Sequence, residues 1–353
     1  MASRPTFRNV SAATGAVLLA AGCARPKAEA ANVFTSTRAV RVSIGGTGAK
    51  RPEATLGHVT VARLGDGGRH VVVLDVVAPF VKVFDGQGRF ERAFLRSGDG
   101  PGETRFPTAL AASGDTAILV GDAAGRLMMF GVDGQFRREI IQSRLRPLAA
   151  TQGCDGDWIV YGPRYPGGHS PPTWLHRIRL RDGGETEIRD ILPDSLVSDM
   201  LPMGVAYGLV TDGQRALAWH DLGAEPLLAT WHCGEDTARL VRLKPSQRME
   251  RAEVRRRQSE VRMAIRPGMR ARAGIATVPG GVVIAEVVFG TAGSEFTELT
   301  LRRKDGSEAK ISVPGSFELR DSRPGVGVLM SATDPAPRVF LVSEGDLLAL
   351  FSR

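Results

Sequence analysis

Two stretches of the chain are copies of one another, and that repeat constrains the fold more than any other feature. Gly67–Phe94 reads GGRHVVVLDVVAPFVKVFDGQGRFERAF, and Gly114–Ile140 reads GDTAILVGDAAGRLMMFGVDGQFRREI. Asp75 aligns with Asp122 at an offset of 47; Phe84 with Phe130, Gly88 with Gly134, Phe90 with Phe136 and Arg92 with Arg138 align at 46. In each copy a Gly or Asp turn opens a run of β-branched or aliphatic residues, and an Asp closes that strand. A second strand ends in Phe, and a Gly-containing turn with a Phe-x-Arg strand completes the unit. Four short strands in roughly 46 residues, with turns every 8–12 or so, form one supersecondary unit that cannot bury its apolar face alone. It must stack on further copies, as the blades of a β-propeller do.

Weaker copies follow. Gly156–Tyr161 echoes the second strand and Leu180–Gly184 a later turn, with a Pro- and Gly-rich insertion, Pro163–Thr173, between them. Val205–Asp212, Arg215–Asp221 and Pro226–Trp231 make a fourth unit. Gly281–Glu286, Glu298–Arg302 and Asp305-Gly306 make a fifth. Gly325–Ser331, Arg338–Ser343 and Asp346–Phe351 read as strands of a sixth. Setting aside the first 22 residues leaves 353 − 22 = 331. Six units of about 46 use roughly 276 and leave about 55 for a tether and one helix, whereas a seventh would leave fewer than about ten. The expected fold is therefore all-β: a six-bladed β-propeller of four-stranded blades with one inserted basic helix. Composition agrees, since 42 Gly and 21 Pro supply turns, while 42% hydrophobic and 24% charged residues exclude a disordered chain. No apolar run reaches the ~18 residues of a membrane span, which excludes a multispanning helical protein.

The helix is expected over about 246–266, SQRMERAEVRRRQSEVRMAIR, bounded by Pro245 and Pro267-Gly268. Its seven Arg and three Glu leave +4 of a whole-chain formal charge of +8. It reads as a solvated helix against a blade edge, with an anionic surface such as lipid head groups as the competing reading.

The N-terminus reads as an address. Arg4 and Arg8 precede a short apolar region, Val10–Ala21, which ends in Leu19-Ala20-Ala21-Gly22-Cys23. Small residues directly before a cysteine resemble the lipobox of bacterial lipoproteins. The resemblance implies a signal peptide over 1–22, lipid attachment at Cys23, a flexible tether over 23–50 and the propeller over 51–353. Acyl chains anchor at about 0.8 kcal/mol per buried methylene. Ala24, in place of the Asp that retains such proteins at the inner membrane, points to the outer membrane.

Phe94-Leu95-Arg96-Ser97-Gly98-Asp99-Gly100-Pro101-Gly102-Glu103, followed by Arg105-Phe106-Pro107, resembles the segment that links successive NHL-type repeats. The chain is also similar to bacterial six-bladed β-propeller lipoproteins that carry a Gly-x-Gly-Pro-Gly-Glu element there. The resemblance covers about residues 66–142. It implies the fold and a cell-envelope setting, and brings no catalytic residues with it.

Candidate chemistry is sparse. The Gly98–Glu103 turn is no phosphate cradle, because Glu103 puts a negative charge at the critical place and a strand follows. Asp75, Asp122 and Asp212 each close a strand and are expected to cap their own turns, with cation binding the weaker reading. The histidines, His58, His70, His169, His176, His220 and His232, show no metal-ligand spacing. His220 and Asp221 are neighbours on a strand and point to opposite faces. No catalytic, metal or cofactor residues are assigned. Cys154 and Cys233 are expected at opposite ends of their strands, roughly 17–20 Å apart, too far for a disulfide.

The function expected is a lipid-anchored envelope module whose partners are membrane lipid, through acylated Cys23, and an envelope protein or a glycan or peptide ligand. Export argues against nucleic acid. The alternative is a metal-dependent, lactonase-like hydrolase, which would gather three or four Glu, Asp, Asn or His side chains at the channel mouth.

Overall fold

A computed structural model describes residues 40–45, 52–114, 117–141, 145–164, 173–179, 185–188, 206–212, 214–221, 227–242, 270–289, 295–332 and 336–352. Their strands, numbered in chain order, form six four-stranded antiparallel sheets. Blade one is β2 (Val59–Gly65), β3 (His70–Asp75), β4 (Val81–Asp85) and β5 (Phe90–Phe94); blade two is β6 (Pro107–Ser113), β7 (Ala117–Asp122), β8 (Arg126–Phe130) and β9 (Phe136–Ile141). Blade three is β10 (Ala149–Gln152), β11 (Trp158–Arg164), β12 (Thr173–Ile178) and β13 (Glu185–Ile188). Blade four is β14 (Ala206–Thr211), β15 (Arg215–Asp221), β16 (Leu227–His232) and β17 (Arg239–Arg242). Blade five is β18 (Arg270–Val278), β19 (Gly281–Phe289), β20 (Glu295–Arg303) and β21 (Glu308–Pro314). Blade six is β22 (Phe317–Arg323), β23 (Gly327–Ala332), β24 (Arg338–Val342) and, from the other end of the chain, β1 (Val40–Gly45).

Each blade's first strand packs on the first strands of both neighbours, from β2 through β6, β10, β14 and β18 to β22 and back to β2. The ring is therefore closed, as the 46-residue repeat requires. Both faces of each sheet meet a neighbouring blade, so second strands are apolar throughout rather than alternating: β3 and β7 are buried almost end to end. The core lies in the wedges between blades. Val72, Leu74, Val81 and Val83 of blade one meet Leu110, Ala112, Ile118 and Val120 of blade two. The repeated Phe positions explain themselves as ring contacts, with Phe130 centred 5.1 Å from Phe94 and 5.7 Å from Phe136.

Blade six departs from the expected pattern in two linked ways. Asp346–Phe351, expected as a strand, lies instead in and just after helix α1 (Glu344–Leu350). Ser343 caps it by accepting the Asp346 N–H at 3.1 Å, and Leu347 is fully buried. The fourth strand comes from the segment expected to be tether: β1 pairs antiparallel with β24, Ser43 opposite Phe340 and Ile44 opposite Val339. Val42 and Ile44 are buried while Arg41, Ser43 and Gly45 are exposed, a half-buried alternation too short to register as a blade strand by itself. The propeller thus includes Val40–Gly45 and does not begin at residue 51. The signal segment 1–22, Cys23 and the basic helix over 246–266 lie outside the described residues.

The cysteines also differ from expectation. Cys154 and Cys233 are joined by a disulfide, with Cα atoms 6.0 Å apart. Cys154 sits in the turn between first and second strands of blade three, as aligned, but Cys233 follows the third strand of its blade, not the last. In a meander the first and third turns share one end, so the two cysteines meet across adjacent blades. The missed strand was β17, whose short sequence RLVR carries little signal.

Because β1 is the closing element, Ile44→Ala, at a site 2% exposed, should destabilise the protein by about 3 kcal/mol in urea unfolding. An unchanged midpoint would mean that the ring does not depend on this closure.

Candidate functional site

The innermost strand of every blade is an edge strand, so one row of its N–H and C=O groups faces the propeller axis without a partner strand. Arginines fill that space. Arg63, 5% exposed, donates Nε–H to the carbonyls of Leu110 and Ala150, each at 3.1 Å, and Nη1 to the Arg320 carbonyl. One guanidinium on β2 thereby ties together β6, β10 and β22. Arg320 donates to Thr60 and Val59 carbonyls at 2.7 and 2.8 Å and to the Ser331 hydroxyl at 2.7 Å, and pairs with Glu318. Arg323 donates Nη2 to the Ala112 carbonyl at 3.1 Å and to Gln152 Oε1 at 3.2 Å. Edge N–H groups find acceptors in the same way: Asp321 Oδ2 takes Leu64 N–H at 2.8 Å, and Ser322 Oγ takes Thr277 N–H at 2.7 Å.

Local backbone irregularity makes this aim possible. The pairing of β2, β6 and β22 with their second strands skips Thr60, Thr108 and Arg320 respectively. A bulged residue bends its strand and turns a group out of the ladder. Thr60 turns out a carbonyl for Arg320, Thr108 sends its hydroxyl to the Pro147 carbonyl at 2.6 Å, and Arg320 delivers its own guanidinium. Burial pushes the Arg63 guanidinium below its ordinary pKa; Asp321 opposes that, and Arg320 and Arg323 add to it. The axis thus holds three guanidinium groups bound to backbone carbonyls, with Glu318 and Asp321 as the carboxylates beside them. At one end it opens into a cavity of about 420 Å³, where turns of blades one, three, four and six converge. Gln152, Cys154, Asp212, Arg323 and Val326 are among its walls.

The carboxylates singled out by sequence do not meet there. Asp75 and Asp122 end second strands, and Asp212 follows a first strand, so they occupy opposite ends of the blades. Each caps its own surroundings. Asp122 accepts the Ala124 and Arg126 N–H groups at 2.9 and 3.0 Å and Arg126 Nε at 2.8 Å. Asp212 does the same with Gln214, Arg215 and Arg215 Nε, the last at 2.6 Å. Asp75 accepts Gly57 and His58 N–H at 2.8 and 2.9 Å, and the buried Lys82 ammonium at 2.6 Å. Among the described residues no group of three or more His, Cys, Asp or Glu side chains is placed to hold a metal ion. His58 is exposed, His70 lies 3.4 Å from Glu91, and buried His176 contacts the Gly162 carbonyl at 3.1 Å. His220 and His232 stand on β15 and β16, and His169 lies outside the described residues. The Gly98–Glu103 turn folds onto itself: Glu103 Oε2 takes the Gly100 N–H at 3.1 Å, and a Cβ on Gly98 would lie 2.1 Å from that carboxylate.

Arg63, Arg320 and Arg323 are the residues that sequence reasoning missed. The signal for Arg63 was an isolated cation in an otherwise small or apolar inner strand, VTVARLG, whereas Arg320 and Arg323 sit among other charged residues in FELRDSR, which hides them.

No family model and no curated protein matches the chain. Among solved structures it is similar to a candidate exported protein from Bacteroides fragilis (11% identity, 80% of this chain and 82% of that chain, TM-score 0.53). It is also similar to a DUF4221-family member from Bacteroides vulgatus (12% identity, 81% and 92%, TM-score 0.53). A weaker likeness, TM-score 0.45 at 11% identity over 81% and 87%, is to a gluconolactonase from Xanthomonas campestris. At these identities the two Bacteroides likenesses show the propeller fold alone.

Two predictions follow from the charged groups. Arg63→Met strands carbonyls of three inner strands and should cost about 3 kcal/mol in urea unfolding, with Arg63→Lys recovering only part because an ammonium cannot fork across them. For Asp75, burial disfavours the ionised form, but the His58 N–H, the Lys82 ammonium and the Gly57 N–H outweigh it and hold the pKa below the usual 3.8. The stability it contributes is present above that value and is lost as pH falls through the depressed one. Asp75→Asn should therefore lower stability at pH 7 by about 3 kcal/mol, by leaving the buried Lys82 ammonium with the Thr55 carbonyl but no counter-charge. The gap to wild type should close as acid titration passes below pH 3.8.

Proposed function

We propose that this protein is a lipid-anchored propeller of the cell envelope that acts as a binding or interaction module, receiving its ligand at the mouth of the axis. The arginine column carries this reading. A propeller hydrolase built around a divalent cation needs converging oxygen ligands where the blades meet. Here the blades bring three guanidinium groups to that place, and Asp321 is committed to the Leu64 N–H. Guanidinium groups repel a metal cation and attract anions, so the axis suits recognition better than metal-dependent hydrolysis of lactones.

Two features support the envelope setting. Disulfides persist where the surroundings are oxidising, and the Cys154–Cys233 bridge fits a chain that leaves the cytoplasm. No helix among the described residues is long and apolar enough to cross a membrane, and the lipobox-like segment ending in Cys23 is the proposed point of attachment.

Cells expressing the full chain should incorporate radiolabelled palmitate, and the Cys23→Ala chain should not; label retained by that variant would remove the anchor. Pull-down from detergent-solubilised membranes tests the module reading. Metal-dependent turnover of a lactone panel by the purified protein would replace that reading with the hydrolase.

A further inference from the structure

The Gly-x-Gly-Pro-Gly-Glu turn between blades one and two takes no part in the axis, yet Pro101, Gly102 and Glu103 of that turn wall a second cavity. Its volume of about 500 Å³ is that of a small-molecule site. Three rings line it, Phe94 of β5, Phe130 of β8 and Phe136 of β9, with Pro79 and Leu95 adding carbon surface. Gly102, at φ +72, lets the turn lie against Phe136, whose Cβ would stand 3.1 Å from a Cβ added there. Leu95 also has left-handed backbone, φ 70, which is strained for a branched side chain. Burial of its side chain and the Phe80 N–H on its carbonyl at 3.0 Å hold it so. Strain fixed in this way clusters at ligand sites.

Three charged side chains line the same cavity. Glu103 is folded back on its own turn, with Oε2 on the Gly100 N–H. Glu53 and Arg96 are exposed and of opposite sign. Among the described residues their side chains make no hydrogen bond or ion pair, either with each other or with a third group. Opposite charges that share a cavity without meeting leave room for a ligand that carries both. We propose that this cavity binds a free α-amino acid with an aromatic side chain, its carboxylate on Arg96, its ammonium on Glu53 and its ring against the phenylalanines. A guanidinium–carboxylate hydrogen bond is among the strong ones, and ring–ring contact adds to the burial of an aromatic body. A simple anion would be repelled by Glu53 and Glu103, and a simple cation by Arg96, so a zwitterion fits the wall best. The site lies between two blades rather than at the mouth of the axis, and does not depend on the reading given to that mouth.

Calorimetric titration of the full-length protein in detergent tests it, with phenylalanine, phenethylamine (no carboxylate) and 3-phenylpropionate (no ammonium) as probes. The expected result is saturable 1:1 binding of phenylalanine, with each of the other two about tenfold weaker or more. Arg96→Gln should weaken phenylalanine about tenfold without weakening phenethylamine, and Glu53→Gln should weaken phenylalanine without weakening 3-phenylpropionate. Both side chains are exposed, so the fold should be retained, and circular dichroism of each variant checks that. Absence of phenylalanine binding, equal affinity for the three probes, or undiminished phenylalanine binding by the two folded variants would each overturn the proposal.

Discussion

Six inner strands with their unpaired edges turned toward one another are the constraint on which the rest of this structure depends. A backbone carbonyl buried without a donor costs about as much as a lost hydrogen bond, and a ring of edge strands multiplies that debt. The protein settles it with side chains rather than leaving it to solvent. Arg63 reaches three inner strands with one guanidinium, Arg320 takes two carbonyls of β2, and Arg323 takes one of β6. The planar fork of arginine is suited to this, since its donors diverge at fixed angles and remain charged even when buried. The same groups that satisfy the edges give the axis its positive character, so the chemistry of the mouth is a by-product of closing the ring.

Closure at the circumference uses different means. In blade six the fourth strand comes from the N-terminal side of the chain, so opening the ring there requires β1 to leave β24. That strand links the two ends of the fold, and α1 follows β24 where a fourth strand would otherwise continue. Between blades three and four the Cys154–Cys233 disulfide adds a covalent tie at the end of the blades that carries the mouth. Blades one and two need neither device, because repeated Phe residues and aliphatic second strands fill their wedge.

The charges of the chain divide into two kinds. Many Asp residues take one or two backbone N–H groups of their own turn and an Arg a few residues on, as Asp85 does with Arg89, Asp122 with Arg126 and Asp212 with Arg215. These pairs are local, which is why they recur with the repeat and why their carboxylates are already occupied. The axial arginines are bonded to carbonyls from distant segments, and those carbonyls lie from 47 to 261 positions away.

What the sequence determined by itself was whatever local interactions decide. Turn glycines, Asp caps and a strand pattern repeating every 46 residues specify a four-stranded meander, and a meander with two apolar faces has to stack. Blade number, all-β class and turn-capping roles for Asp122 and Asp212 were legible for that reason, whereas Asp75 mainly takes the Gly57 and His58 N–H groups from the segment before β2. Only the tertiary structure decided which strand closes blade six, that Cys154 meets Cys233, and that Arg63, Arg320 and Arg323 share one axis. Those outcomes depend on which ends of separate blades coincide once the ring shuts. A strand as short as RLVR, or a lone arginine within an apolar run, carries no mark of the neighbour it will find.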